Sequence, residues 1–236
     1  PSGEAALAHQ LQGFGLQIEH IVYESGPTGF GLARTLERAG FKVSVIAASR
    51  IPRGYSPKAK TDRLDAVMLA SYYARGLLHP IAMPTIEQEG YRALVRRRKR
   101  IAESRAKIKQ KIKGFLLASG INEPASLRLW TLAASEDLTS LNIPREHRMT
   151  LASMVREYLF LLSEDKFVRA EIRAATEELY QECFDRLTSI SGVGEVVATN
   201  FIAELFSPER FNRQEEVTSY LRLAPIVRQS GSGPSR

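Results

Sequence analysis

The sequence predicts a mixed α+β protein: an alternating α/β region, then long helices, then a shorter helical region. Three observations carry that class. Strand-like runs separated by Gly and Pro turns fall in the first 84 residues, strand signal stops after Pro80 and Pro84, and residues 87–119 and 145–187 hold helical spacing almost without interruption. In order, residues 4–16 read as a helix and 18–23 ("IEHIVY") as a strand. "ESGPTG" reads as a turn, 30–39 as a helix closed by Gly40, and 41–47 ("FKVSVIA") as a second strand. A loop, "SRIPRGYSPKAK", leads to a helix starting near Thr61. The helix over 87–119 stops at Gly120, and a mixed segment carrying Trp130 and Pro144 follows. The second long helix repeats Met154, Tyr158, Leu161, Val168, Ile172, Ala175 and Leu179, with Asp165 as one polar interruption. Two such helices most simply pair antiparallel.

Composition narrows the class of function. The single Cys183 excludes an internal disulfide and a multi-cysteine metal site, and His9, His20, His79 and His147 show no ligand spacing. No apolar run approaches the ~18 residues of a membrane span and no signal pattern opens the chain, so an intracellular protein without a membrane partner is expected. The opening Pro1-Ser2-Gly3, without Met, points to a trimmed part of a longer protein.

The net charge of +7 is concentrated. Residues 92–113 hold eleven Lys or Arg against one acid, Glu103, giving that window +10 and leaving −3 for the rest. Leu94, Ile101, Ile108 and Phe115 recur every seven positions through it, the mark of a helix with a packed seam. So many cations on one helix suit a polyanion, which makes Arg92, Arg96, Arg97, Arg98, Arg100, Arg105 and Lys109 candidate contacts for nucleic-acid phosphates; a merely solvated face is the alternative.

Three stretches can carry chemistry. In "AKTDRLDAVMLA", Asp62 and Asp65 share a helix face, and Glu24 stands at the end of the first strand, where open α/β sheets place their sites. Three carboxylates in a basic protein suit Mg²⁺ or Mn²⁺ at a phosphodiester, although acids in a first helical turn behind an N-cap Thr61 also have a purely structural reading. "LTSISGVGEVVATNFI" has the spacing of a helix-hairpin-helix whose Gly192 and Gly194 would admit a phosphate to backbone amides, or else of an ordinary Gly-turned helix pair. Ser230 and Ser232 lie in a Gly-rich tail and by composition are linker residues.

Taken together, "YESGPTGFGLARTLERAGFKVSVIAASRIPR", "KTDRLDAVMLA", the basic helix, "ISGVGEVVATNFIAEL" and "YLRLAPIVRQSGSG" resemble, in that order, the DEDD transposases of the insertion-sequence 110 family (IS110/IS1111 type). The resemblance implies a RuvC-like, ribonuclease-H-like domain over 1–84, a basic coiled-coil region over 85–186, and a helix-hairpin-helix with part of a transposase domain over 187–236. It implies metal-dependent cleavage and exchange of DNA strands of a bacterial mobile element in the cytoplasm, guided by a bridge RNA and carried out by a homodimer or higher oligomer. Glu24, Asp62 and Asp65 take family carboxylate positions, and Ser230, with Ser232 as the alternative, takes the nucleophile position beside Arg228. The family's first aspartate has no counterpart, since residues 1–17 contain no Asp, and the chain stops just past the serine motif, so it is expected to be inactive alone. A non-catalytic DNA- or RNA-binding protein and a Holliday-junction-type nuclease are the competing expectations.

Overall fold

A computed structural model describes residues 3–15, 17–26, 29–52 and 62–221. The chain divides into two compact units, Pro1–Met83 and Pro84–Arg236.

In the first unit, helix α1 (Gly3–Gly13) precedes strand β1 (Ile21–Glu24), helix α2 (Gly31–Arg38), strand β2 (Val43–Ile46) and helix α3 (Asp62–Ala74). The two strands pair in parallel, with Ile21 opposite Val43 and Glu24 opposite Ile46, and α2 forms the crossover that parallel pairing requires. Both strands are shorter than the apolar runs suggest; residues 18–20 and 41–42 are not strand. The β-branched residues of β2 fill the interior, where Ile46 meets Leu69 of α3 and Leu78, with Val22 and Tyr73 packed alongside. A closed polar triangle also ties α3 to the sheet. His20 Nε2, Ser44 Oγ and Tyr73 Oη lie 2.8 to 3.0 Å apart, and the His20 and Tyr73 rings stack at 4.8 Å. Each half-buried or buried group of the triangle thereby finds a polar partner within the unit.

The second unit is built on two helices, α4 (Ile86–Ala118, 33 residues) and α6 (Arg145–Leu179, 35 residues). A capping box starts α4: Thr85 Oγ1 accepts from the Gln88 amide and Gln88 Oε1 accepts from the Thr85 amide. Gly120, at φ +66°, ends the segment in a left-handed conformation that costs glycine little. The helices run antiparallel, since Tyr91 early in α4 donates to Thr176 late in α6 while Phe115 late in α4 packs on His147 early in α6. The long helix expected over 145–187 breaks at Tyr180, whose φ of −141° leaves the helical region, and α7 (Gln181–Thr188) starts anew. The break turns the Tyr180 ring onto Tyr91, with centroids 4.8 Å apart, so burial of two aromatics outweighs continuity of the helix.

The helix pair holds two apolar layers. At one end Ile108, Ile112 and Leu116 meet Leu151, Val155 and Tyr158 under α5 (Leu132–Ser140), with Leu127 and Leu138 closing the layer. At the other, Tyr91, Val95 and Ile101 meet Val168 and Ile172, and α8 (Glu195–Leu205) adds Ile202 and Ala203, so residues beyond 187 share the core of the helix pair. Helix α9 (Gln214–Tyr220) ends the described chain.

Between the layers sits Asp165, only 4% exposed, and three arginines converge on it. Arg105 donates to Oδ2 at 2.9 Å, Arg169 lies 3.2 Å from the same oxygen, and Arg98 Nε stands 3.8 Å from Oδ1. Removing the acid leaves three cations with no counter-charge, two of them largely buried. Asp165→Ala is therefore expected to destabilise the protein by about 3–5 kcal/mol, read as a lower urea midpoint at unchanged slope.

Candidate nucleic-acid interface

The charged window expected to bind a polyanion forms the middle of α4, and the fold sorts its cations into two sets. The first set works inside the protein. Arg92 donates from Nε to the Ala203 carbonyl at 2.8 Å and stacks on the Phe206 ring at 4.4 Å; burial pulls its guanidinium below the ordinary arginine value without discharging it. Arg96 makes a two-pronged bond to Glu204, at 2.8 and 2.7 Å. Arg98 and Arg105 serve Asp165. Lys109 lies over the rings of Trp130 and Tyr158, and burial lowers its ammonium pKa. Lys113 pairs with Glu123 at 2.7 Å, and Arg97 stands 3.8 Å from Glu164.

The second set is Lys99, Arg100, Lys107 and Lys111. All four are exposed and make no ion pair or hydrogen bond with another described residue. Arg100, Lys107 and Lys111 follow seven- and four-residue spacing and so lie along one edge of α4, with Lys99 beside them, over about 18 Å of helix at 1.5 Å per residue. Of these, sequence reasoning singled out Arg100 alone. The signal for the others was present: they face away from the seam of Ile101 and Ile108.

The Gly-rich turn joins α7 to α8. Gly192 takes φ +87° and Gly194 is the N-cap of α8 without a side-chain cap, so the first amides of that helix carry no side chain of their own cap residue. A Cβ added at either glycine meets open space, which leaves room for an approaching group. Glu195, the first residue of α8, stands 3.6 Å from Arg173 and offsets the positive end of the helix.

The carboxylates belong to the first unit. Glu24 is exposed at the end of β1, Asp62 is the exposed first residue of α3, and Asp65 is half-buried one turn on. Although α3 packs against β1, no three His, Cys, Asp or Glu among the described residues are gathered closely enough to hold a metal ion. The side chains thus do not form a divalent cage as they stand. Ser230, Ser232 and Arg228 lie outside the described residues, as does Thr61. No helix among the described residues is long and apolar enough to cross a membrane.

A transposase family model of the DEDD IS110 type matches residues 3–120, and one for the transposase IS116/IS110/IS902 family matches 184–235. The chain belongs to the IS110 family of transposases. Among relatives of this IS110-family chain, y4qE of Sinorhizobium fredii, named as a transposase, is 28% identical over the whole chain and 58% of its own length. The transposase for insertion sequence element IS1111A of Coxiella burnetii is 26% identical over 92% of the chain and 59% of its own length. That for IS1533 of Leptospira borgpetersenii is 30% identical over 54% of the chain and 37% of its own length. The chain therefore spans under three-fifths of these curated relatives.

Two measurements test this account of the site. Arg96 holds the Glu204 carboxyl below the usual carboxylate range, chiefly through their hydrogen bond. A depressed carboxylate stabilises above its unfolded pKa, about 4.3, and the contribution disappears as pH falls through the lower folded value. Stability should therefore fall on acidification below about pH 4.5, and Glu204→Gln should flatten that part of the profile. Because the carboxylates form no ready cage, titration of the chain with Mg²⁺ or Mn²⁺ in a calorimeter should show weak binding at best, in the millimolar range or above.

Proposed function

We propose that this chain is the nucleic-acid-binding and part of the catalytic portion of a mobile-element recombinase that cleaves and exchanges DNA strands. Its membership of the IS110 transposase family supports the reaction class. The observation that carries the substrate class is the outer edge of α4: four exposed cations that make no ion pair or hydrogen bond with another described residue, with Glu103 the one acid of α4 among them, in a helix whose other cations are committed to the fold. A duplex presents one negative charge per ~1.7 Å of axis, so a row of cations along a helix can contact its backbone without reading sequence. The Gly192–Gly194 turn offers a second phosphate contact of the helix-hairpin-helix kind, with partner strands of DNA or guide RNA.

For the chemistry, Ser230 is the proposed nucleophile and Ser232 the alternative. A serine hydroxyl attacking a DNA phosphate would lose its proton, form a serine–DNA phosphodiester and release the 3′ or 5′ oxygen of the broken strand as a hydroxyl; the equivalent hydroxyl of a second broken strand would then attack that ester, joining the exchanged strands and freeing the serine. A serine at its ordinary pKa needs a base and cationic stabilisation of the phosphate, and Arg228 is the neighbouring cation proposed for the second task. Glu24, Asp62 and Asp65 are the proposed acidic groups of the RuvC-like part; a bound Mg²⁺ would neutralise phosphate charge there, but these three require further ligands or rearrangement to hold it. The protein is proposed to act as an oligomer.

In the full-length protein with its DNA and RNA, Ser230→Ala should abolish covalent attachment to DNA and leave binding intact; an adduct surviving loss of both serines removes serine chemistry from this tail. Replacing Lys99, Arg100, Lys107 and Lys111 with Ala should weaken binding to all sequences and reduce the salt slope by about 3–4 log units per log unit. The same fold should persist, because none of the four contributes a bond to it. Unchanged affinity and salt slope would reduce this edge of α4 to a solvated face.

A further inference from the structure

Basic and aromatic side chains meet where α8 ends. The chain leaves that helix through Phe206, whose φ of +40° lies in the left-handed region that a bulky residue enters only under strain. Two guanidiniums lie against its ring, Arg92 of α4 at 4.4 Å from the centroid and Arg210 at 4.3 Å. Arg210 also rests on Phe211 at 4.5 Å and on Tyr220 of α9 at 4.4 Å. Rings take up the flat faces of a guanidinium and leave its N–H groups, which lie in the plane, to find oxygen. Here they find none. Nε and Nη2 of Arg210 and Nη2 of Arg92 are buried without a hydrogen-bond partner among the described residues. Nε and Nη2 together are the edge with which arginine grips an oxyanion through two parallel bonds, so Arg210 presents a whole unused fork, costly to bury empty. Glu204, the acid beside it, already gives both carboxylate oxygens to Arg96, at 2.8 and 2.7 Å. Residues 222–236, which follow α9, contain no Asp or Glu. We propose that this corner is a phosphate site, in which the Nε–Nη2 edge of Arg210, with Nη2 of Arg92, takes one phosphate group of a nucleic-acid backbone.

The source of that phosphate rests on the nucleic-acid reading above; the site itself rests on this corner alone. Arg92, Arg96 and Arg100 follow one another at four-residue steps, so the exposed edge of α4 begins about 12 Å along the helix from Arg92. A backbone lying on that edge continues onto the corner, whereas a free phosphate ion has no such guide. Access is by way of α9. None of its residues is buried, and its Tyr220 reaches α8 by donating from Oη to the Glu204 carbonyl at 3.2 Å. A shift of α9 frees the fork while Phe206 and Phe211 stay on the faces of Arg210, which keeps the guanidinium aimed and poorly hydrated, the condition in which a charged hydrogen bond is strongest. A lysine would leave one hydrated point charge here and no fork.

The Nε–H signals of arginine in a ¹H–¹⁵N spectrum report this edge directly. In the whole chain, inorganic phosphate at tens of millimolar should shift the Arg210 Nε–H signal while chloride at equal ionic strength does not, and a short DNA duplex should shift the same signal at micromolar concentration. R210K keeps a cation under the rings and loses the fork. It should retain helix content and bind phosphate and duplex roughly tenfold more weakly, with the salt slope of duplex binding unchanged because no charge is lost. An Nε–H signal that neither phosphate nor duplex moves overturns the site, and so does unaltered affinity in R210K. If R210K does not fold, the wild-type signal, assigned through the Arg210 side chain, decides alone. A signal moved by free phosphate but not by a duplex that does bind the chain overturns the nucleic acid as source. A chain that binds no duplex and still shows the phosphate shift overturns the nucleic-acid reading itself and keeps the fork as a site for a free phosphate ion.

Discussion

One buried carboxylate holds the helical unit together. Asp165 sits between two apolar layers that by themselves tolerate sliding, because leucine, isoleucine and valine offer no direction. A single acid that must meet Arg98 and Arg105 from the facing helix fixes which turn of α4 lies opposite which turn of α6. The arrangement is costly to assemble, since ions lose hydration inside a protein, and its strength lies in excluding alternatives. Everything downstream inherits that register. Tyr91 reaches Thr176, α8 finds its groove against Val95, and Arg92 meets the carbonyl of Ala203.

The same register decides what the basic helix can offer to a ligand. Packing turns Arg98 and Arg105 inward and places Arg92 and Arg96 at the end of α8, where Phe206, Glu204 and the Ala203 carbonyl absorb them. Arg210 stacks on the other contacts of that corner, against Phe206, Phe211 and Tyr220. Arginine suits these places because its planar, weakly hydrated group keeps its charge while lying against a ring. Three of the four cations left on the outer edge are lysines, which is the chemistry of a hydrated point charge. The division of labour within one helix follows side-chain type as well as position.

Much of this was legible in the chain. The mixed class, the two long helices, their antiparallel pairing, the α4 boundaries within a residue or so, and the family were all readable. The first three follow from periodicity, the boundaries from the end of strand signal past Pro84 and from Gly120, and the family from motifs in fixed order. Less legible was the use of each charge. Asp165 read as an interruption in an apolar stripe and is the counter-charge of three arginines, accepting a hydrogen bond from Arg105; Arg92, Arg96 and Arg105 read as phosphate contacts and are bonded within the fold. The break at Tyr180 left no glycine or proline to announce it.

What the sequence determined by itself is local: hydrophobic spacing, caps and turns are set by neighbours within a few residues, and those survive in any tertiary context. What only the tertiary structure decided is partnership across the chain. Whether an arginine faces solvent or an aspartate sixty residues away depends on the rotation and register of two packed helices. Those are fixed by the sum of many contacts at long separation, so a run of eleven cations gives the charge of a surface without saying which of them remain on it.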